Sequence, residues 1–281
     1  MRYFSAPIEQ LGRIYHFHHR KNIVDNIDYF AYHHHVFCEI YLLCNGDAEF
    51  IIEDSIYSLE KDDILVIPPY KIHSTKPKPG TNLERIVLNI FPSFFAEMLC
   101  PNYIDVISRF SETGHLIKNN IGRAYMLQDL LHSLDQSFNN DYNASNILPN
   151  LKIVELIYNL YRLLESDVLE TSTPETPLNN PIISEVIKYI NTNYATITNV
   201  SSISSAFNYS PNYLNKIFKQ STGMTIPKYV NIKRFENVEN LFRAGNSLEY
   251  ASTASGFNNY RHFAYAYKQE YGISPKTGMK L

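Results

Sequence analysis

The sequence predicts an α+β protein: an N-terminal antiparallel β-barrel followed by a helical segment, then an all-α half of two helix-turn-helix units joined by a linker helix. Three observations predict it. Short strand-like runs recur between about residues 28 and 92, separated by turn residues. Residues 94–165 switch to apolar spacing of three and four, the helical period. The last hundred or so residues contain one supersecondary unit twice, an internal repeat that marks a duplicated module. At 281 residues the chain can bury two cores.

The strand-like runs are Glu39 to Leu43, Ala48 to Ile52, Ser55 to Leu59, Ile64 to Ile67 and Arg85 to Ile90. Asn45-Gly46-Asp47, Glu53-Asp54, Lys61-Asp62-Asp63 and the Pro/Lys/Gly stretch 76–80 read as the turns between them. Alternation along an extended chain sends His33, His35, Phe37, Glu39 and Tyr41 to one face.

In the helical segment, Ala124, Leu127, Leu131, Leu134 and Phe138 form one apolar stripe. Residues 147–164 are apolar on two faces. Ile147, Leu151, Val154, Tyr158 and Tyr161 make one, and Ile153, Ile157, Leu160 and Leu164 the other. Covering the barrel needs one face; the second is expected to meet the same helix of another subunit in a homodimer. Residues 166–180 are polar and broken by proline, the chemistry of a linker. The chain therefore divides into an N-terminal domain (1–165), a linker (166–180) and a helical C-terminal domain (181–281).

Within the repeat, Phe218-Lys219-Gln220-Ser221-Thr222-Gly223 is echoed by Tyr267-Lys268-Gln269-Glu270-Tyr271-Gly272. In the first copy Ser210 is an N-cap and Pro211 suits the first helical position, having no N–H to leave unbonded. Leu214, Ile217 and Phe218 form the inward stripe, leaving Asn212, Tyr213, Asn215, Lys216, Lys219 and Gln220 outward. In the second copy Phe263, Ala266 and Tyr267 face in; Asn259 precedes the helix, and Tyr260, Arg261, His262, Tyr265 and Lys268 face out. Each turn needs a residue that tolerates positive φ, which Asn208 and Gly256 supply. Ala251, Ser252 and Ser255 put little apolar bulk under the second copy, which predicts a looser second unit. Between the copies, Tyr229, Ile232, Lys233, Phe235, Val238 and Leu241 fit a long linker helix.

Charge is polarised along the chain. Residues 181–281 hold 11 Lys+Arg against 5 Asp+Glu, whereas residues 1–180 hold 14 against 23. A basic helical half on an acidic partner half points to double-stranded DNA. Lys216, Lys219, Lys233, Arg234, Arg261 and Lys268 are candidates for phosphate contact or base readout. Asn212, Asn215, Gln220, Tyr260, Arg261, His262 and Tyr265 are the candidate base readers.

Residues 181–281 resemble the DNA-binding domain of AraC/XylS-family bacterial transcription regulators. The resemblance is carried by Ser210-Pro211-Asn212-Tyr213-Leu214, Phe218-Lys219, Gly223, Arg234, Gly256-Phe257, Phe263 and Gly272-Ile273-Ser274-Pro275. It implies two recognition helices set in successive major-groove segments, and an Arg234 that ties the linker helix to its neighbours. It also implies RNA polymerase as a partner where the regulator is an activator. Departures are Ala251-Ser252, Ser204, Val238, Tyr265 and Gly278, and Tyr265 stands where the family usually carries a basic residue.

The N-terminal half resembles the cupin-like sensor of the same family. His33-x-His35-x3-Glu39-x6-Gly46 reproduces the first cupin motif, and His73 follows Pro68 by five, as in the second. Asp62 and Tyr70 stand where cupin enzymes carry glycine, and Pro77 where they carry Asn. The resemblance implies a small-molecule effector, a carbohydrate being a frequent choice, lined by His33, His35, Phe37, Glu39, Tyr41 and His73. No cofactor is expected; the alternative is a divalent metal on His33, His35, Glu39 and His73. The rival reading is a metal-dependent cupin enzyme, an isomerase or dioxygenase, with a fused helical domain.

Cys38, Cys44 and Cys100 are odd in number and lack metal-finger spacing, so reduced thiols in the cytoplasm are expected. Met1 to Ser5 open no apolar leader, and no run approaches membrane-spanning length, so no membrane association is expected.

Overall fold

A computed structural model of the chain describes residues 15–23, 32–78, 80–91, 94, 116–139, 147–166, 176–177 and 180–279. Its N-terminal half consists of two antiparallel sheets. One joins β1 (Tyr15–Ile23), β2 (Cys38–Asn45), β5 (Ile64–Ile67), β7 (Asn82–Ile90) and β8 (Leu116–Ile117), in the order β1-β7-β2-β5-β8. The other joins β3 (Ala48–Ile52), β4 (Ser55–Leu59), β6 (His73–Pro77) and β9 (Thr176–Pro177), in the order β6-β3-β4-β9. The alternation of β2 decides what each sheet face does. Tyr41 and Leu43 turn inward and meet Phe50, Tyr57 and Leu59 of the second sheet, whereas Ile40 and Leu42 turn outward beneath the helices.

All five predicted runs are strands. Four others escaped the sequence reading. β1 was not assigned, and β6 lies partly in the 76–80 stretch read as a turn. Pro77 is tolerated there because it ends a strand at the sheet's edge, where no ladder N–H is required on the open side. β8 interrupts the predicted helical stretch 94–165, and β9 pairs with Ser55 and Ile56 from inside the predicted linker. Cys100 lies outside the described residues.

α1 (Asn119–Ala124), α2 (Leu127–Asn139) and α3 (Ile147–Leu164) cover the outer sheet face. Leu127, Leu131, Leu134, Ile153, Ile157 and Leu160 are buried there with Ile40 and Leu88. Ala124 falls off the stripe and is exposed, because the helix breaks before α2 at Met126, whose φ is +58°. Asp62 and Asp63 fasten this segment to the barrel. Asp63 accepts from Asn119 N at 2.9 Å and pairs with Lys118 at 3.0 Å; Asp62 pairs with Arg123 at 3.0 Å. Of the second predicted face of α3, Val154 and Tyr161 pack on this core, while Ile147 is 61%, Leu151 58% and Tyr158 49% exposed.

The C-terminal half is helical: α4 (Pro181–Asn193), α5 (Val200–Ala206), α6 (Pro211–Thr222), α7 (Ile226–Arg243), α8 (Leu248–Ala254), α9 (Tyr260–Tyr271) and α10 (Pro275–Gly278). The repeat is visible in the caps. Ser210 and Asn259 accept from the third residue of α6 and α9, and Gly223 and Gly272 end those helices at φ of +75° and +74°. Asn208 and Gly256 carry the two turns at φ of +57° and +94°. The second unit is not loosely filled. Ser252 and Ser255 are fully buried and donate to the carbonyls of Glu249 and Ala251, while Asn237 of α7 donates to Ser255 Oγ at 3.0 Å. Hydroxyls bonded along their own helix replace the apolar bulk that the sequence lacks.

The halves share a core. Tyr32, Val36, Ile51, Tyr70 and Ile72 of the barrel pack with Ile187, Leu214, Tyr229, Phe235 and Phe263. Tyr70, at φ +64°, bonds Glu239 of α7; Glu53, at φ +52° in the β3–β4 turn, pairs with Lys233 of α7 and bonds Tyr229. Positive φ at Asp62 (+68°) and Tyr70 keeps the backbone course that glycines would give, so these replacements leave the turns intact.

Gly256 is irreplaceable on two counts: φ is +94°, and a Cβ there would stand 2.3 Å from the carbonyl oxygen of Ala195. Gly256→Ala is expected to cost about 2 kcal/mol or more in denaturant unfolding of the full chain; an unchanged midpoint would contradict the close approach.

Candidate nucleic-acid interface and barrel interior

On α6 the inward stripe of Leu214 and Phe218 leaves Asn212, Tyr213, Lys216, Lys219 and Gln220 exposed. On α9 the same geometry exposes Arg261, His262, Tyr265 and Lys268. Four candidate residues have other work. Asn215 is turned inward, and its Oδ1 accepts from Ile226 N at 2.9 Å, capping α7, whose N-cap Thr225 makes no side-chain bond. Asn259 is spent on the N-cap of α9, accepting from His262 N at 2.8 Å. Tyr260 is half-buried, its ring tilted against that of Phe263 at 6.0 Å. Lys233 is buried, paired with Glu53 and with Glu236 at 3.2 Å, and cannot reach a phosphate from there. Burial alone would lower its pKa, but Glu236 and Glu53 hold it well above the ordinary range. Arg234 takes the tying role: Nε donates to Tyr194 O at 3.0 Å and the guanidinium also reaches Ile197 O.

In the barrel, β1, β7 and β2 lie side by side in a fixed register. His16, Asn89 and Glu39 form one rung, and His18, Val87 and Tyr41 the next. His33 bridges His73 by reciprocal backbone bonds of 2.9 Å, which brings the two motifs together. The His33 and His73 rings lie 4.1 Å apart, and His35 and His73 4.8 Å. Phe37 stacks on His35 at 4.0 Å, so it lines the cluster from beneath. Thus five of the six predicted lining residues converge, and Tyr41 sits one rung deeper. The sequence reading missed His16, His18 and Asn89. Their signal was present in the alternation of His16-x-His18, but with β1 unassigned it had no partner strand.

Protonation in the cluster is set by the backbone. His35 Nδ1 lies 2.7 Å from Phe37 O and His73 Nδ1 2.9 Å from Lys71 O. A carbonyl only accepts, so both rings carry their proton on Nδ1 and present an Nε2 lone pair to the interior. Neither Nε2 has a hydrogen-bond partner, although His35 Nε2 is 3.3 Å from Glu39 Oε2. An imidazole nitrogen and a carboxylate oxygen this close suit a shared cation, a proton or a metal ion. Burial, with His33 and His35 adding to it, pulls the His73 pKa well down, so this imidazole is neutral. Burial pushes the Glu39 carboxyl up, but the neighbouring His35, His33 and His18 outweigh it and lower the pKa. His33, His35 and His73 offer ligand atoms within 4.8 Å of one another, and the ring N–H groups of His35 and His73 are pinned as in metal-bound histidines. The residues fit a divalent ion. On the two rungs of β1, β7 and β2, His18 Nδ1, Tyr41 Oη and Asn89 Oδ1 are buried polar atoms with no hydrogen-bond partner.

Residues 25–160 match the AraC-like ligand binding domain, and residues 203–280 match the family described as a helix-turn-helix domain. The chain belongs to the AraC family of DNA-binding transcriptional regulators. Among curated relatives, the HTH-type transcriptional activator RhaR of Escherichia coli O139:H28 is 24% identical over 261 residues, covering 90% of this chain and 88% of that one. RhaR of Shigella boydii aligns with the same identity and coverage. Among solved structures, ToxT from Vibrio cholerae aligns over 95% of this chain and 98% of its own at 15% identity, with a TM-score of 0.39. Among the described residues, no helix is long and apolar enough to cross a membrane.

Proposed function

We propose that this regulator reads two successive major-groove segments with α6 and α9 under the control of a small effector held inside the barrel. One observation carries the reading: two equally capped helices, in a half with six more basic than acidic residues, both turn their cationic faces to solvent. Lys216, Lys219 and Lys268 serve phosphates, which supply affinity and salt dependence. Asn212, Gln220, Arg261, His262 and Tyr265 serve base edges, with Tyr213 beside them. RhaR is named an activator, and we carry that role and RNA polymerase as a partner to this chain, at work in the cytoplasm with the DNA.

His18 Nδ1, Tyr41 Oη and Asn89 Oδ1 suit a ligand rich in hydroxyls, such as a carbohydrate, because each gains a bond it otherwise lacks. His33, His35 and His73, with Glu39 beside them, would hold a divalent ion, which supplies Lewis acidity and a fixed positive charge when bound. We read this as a sensory site rather than the centre of a cupin enzyme, because Tyr70 and Glu53 tie this end of the barrel to the DNA-binding half.

The open face of α3 is assigned to a second copy of this chain, since Ile147, Leu151 and Tyr158 stay exposed on one helix side. Leu151→Glu is expected to shift sedimentation from dimer to monomer at micromolar concentration; a wild-type monomer would remove the dimer. For DNA, the test is binding of fragments selected from a random pool. Lys219→Ala should weaken all sequences alike and lower the salt slope by about one ion. Arg261→Ala should cost about 1–3 kcal/mol at one base position. Folded protein indifferent to every fragment at low salt would overturn the reading.

A further inference from the structure

We propose that the histidine cluster is a metal-operated latch on the second helix-turn-helix unit: a divalent ion on His33, His35 and His73 withdraws His34 from Glu270 and Tyr271, loosening α9 from the barrel. The proposal rests on the metal reading above and adds its consequence.

His33, His34 and His35 are consecutive, and the first of them bridges β6. His33 and His35 turn into the cluster, and His34 between them turns the other way. Its side chain is fully buried, with Nε2 3.3 Å from Tyr271 Oη and 3.6 Å from Glu270 Oε1, at the C-terminal end of α9. Ligand site and latch therefore hang on the same three residues, and those are clamped to β6 through the His33–His73 bridge.

Metal binding would move this segment. The candidate ligand atoms lie within 4.8 Å of one another. Around one tetrahedral zinc ion, bound at about 2.0–2.1 Å, ligand atoms are about 3.3 Å apart. Gathering the three imidazoles draws residues 33–35 toward the barrel interior by on the order of an ångström. A 3.3 Å contact stretched by that amount is no longer a hydrogen bond. The release strands no charge, because Glu270 keeps Lys228 at 3.0 Å. Of the contacts on α7, the Glu53–Lys233 pair involves none of residues 33–35, whereas Tyr70, which bonds Glu239, also donates its backbone N–H to His35 O at 2.8 Å. Glu53 and Lys233 keep the linker helix docked while the C-terminal end of α9 gains freedom. Both recognition helices must enter adjacent groove segments together, so this freedom changes affinity for a two-segment site. Coupling is reciprocal: whatever opens the latch tightens metal binding.

The test is calorimetric titration of the full chain with zinc chloride, paired with amide hydrogen exchange over residues 260–272. Wild type should bind one zinc per chain, and His73→Ala should lose affinity at least ten-fold. Tyr271→Phe, on the other domain and leaving every ligand in place, should bind zinc about five-fold tighter. Zinc should speed exchange in 260–272 of the wild type. Equal affinity in wild type and His73→Ala overturns the metal reading and the latch together. Zinc binding that His73→Ala abolishes but Tyr271→Phe leaves unchanged, or exchange that zinc leaves unchanged or slows, overturns the latch alone.

Discussion

The ion pair between Glu53 and Lys233 joins the tip of a barrel hairpin to the middle of the helix that spans both DNA-reading units. Lys233 is only 5% exposed at its side chain, so its charge has been taken out of water and must be matched. Glu53 and Glu236 match it, Tyr229 bonds Glu53 at 3.3 Å, and Lys71 approaches both carboxylates. Tyr70 and Glu239, with Arg243, extend the same polar seam one helical turn further. A buried pair of this kind is weak evidence for stability; its part here is to set the register in which α7 meets the barrel. The position of the DNA-binding half on the barrel follows from it.

Docking at this seam divides the helical half by function. The side of α7 that meets the barrel buries a lysine, a glutamate and two aromatic rings, while the outer faces of α6 and α9 keep their lysines and arginine in solvent. The barrel thus holds both units without covering what they present to DNA. It can act on them only by altering how they are held, and the residues placed for that are the histidines at its mouth. The acidic charge of the first 180 residues and the basic charge of the rest suit this arrangement, since the barrel repels the phosphates that the other half attracts.

Much of this was legible in the chain. The repeat at 218–223 and 267–272, Ser210-Pro211, and the positive-φ residues Asn208 and Gly256 each express a local rule that tertiary context has no reason to override. The alternation that gathers His33, His35 and Glu39 is equally local. Misreadings came where a residue's partner lies far away in sequence. Asn215 looks like a surface base reader until Ile226 N is placed beside it, and Lys233 looks like a phosphate ligand until Glu53, 180 positions earlier, closes on it. β1 and β6 were missed because polar histidines and a terminal proline hide strands that long-range pairing stabilises. The serines under α8 appeared as missing bulk because their hydrogen bonds are invisible in a pattern of apolar residues.

A double-mutant cycle on Glu53→Gln and Lys233→Met, followed by denaturant unfolding of the full chain, tests the seam most directly. Each single change should destabilise by about 1–3 kcal/mol, because it leaves Lys233 with Glu236 alone or Glu53 with the more distant Lys71. The double variant should recover much of that, with a coupling of about 1–3 kcal/mol. Strictly additive losses, or singles without effect, would mean that the two charges do not meet and that the DNA-binding half is not held where this account places it.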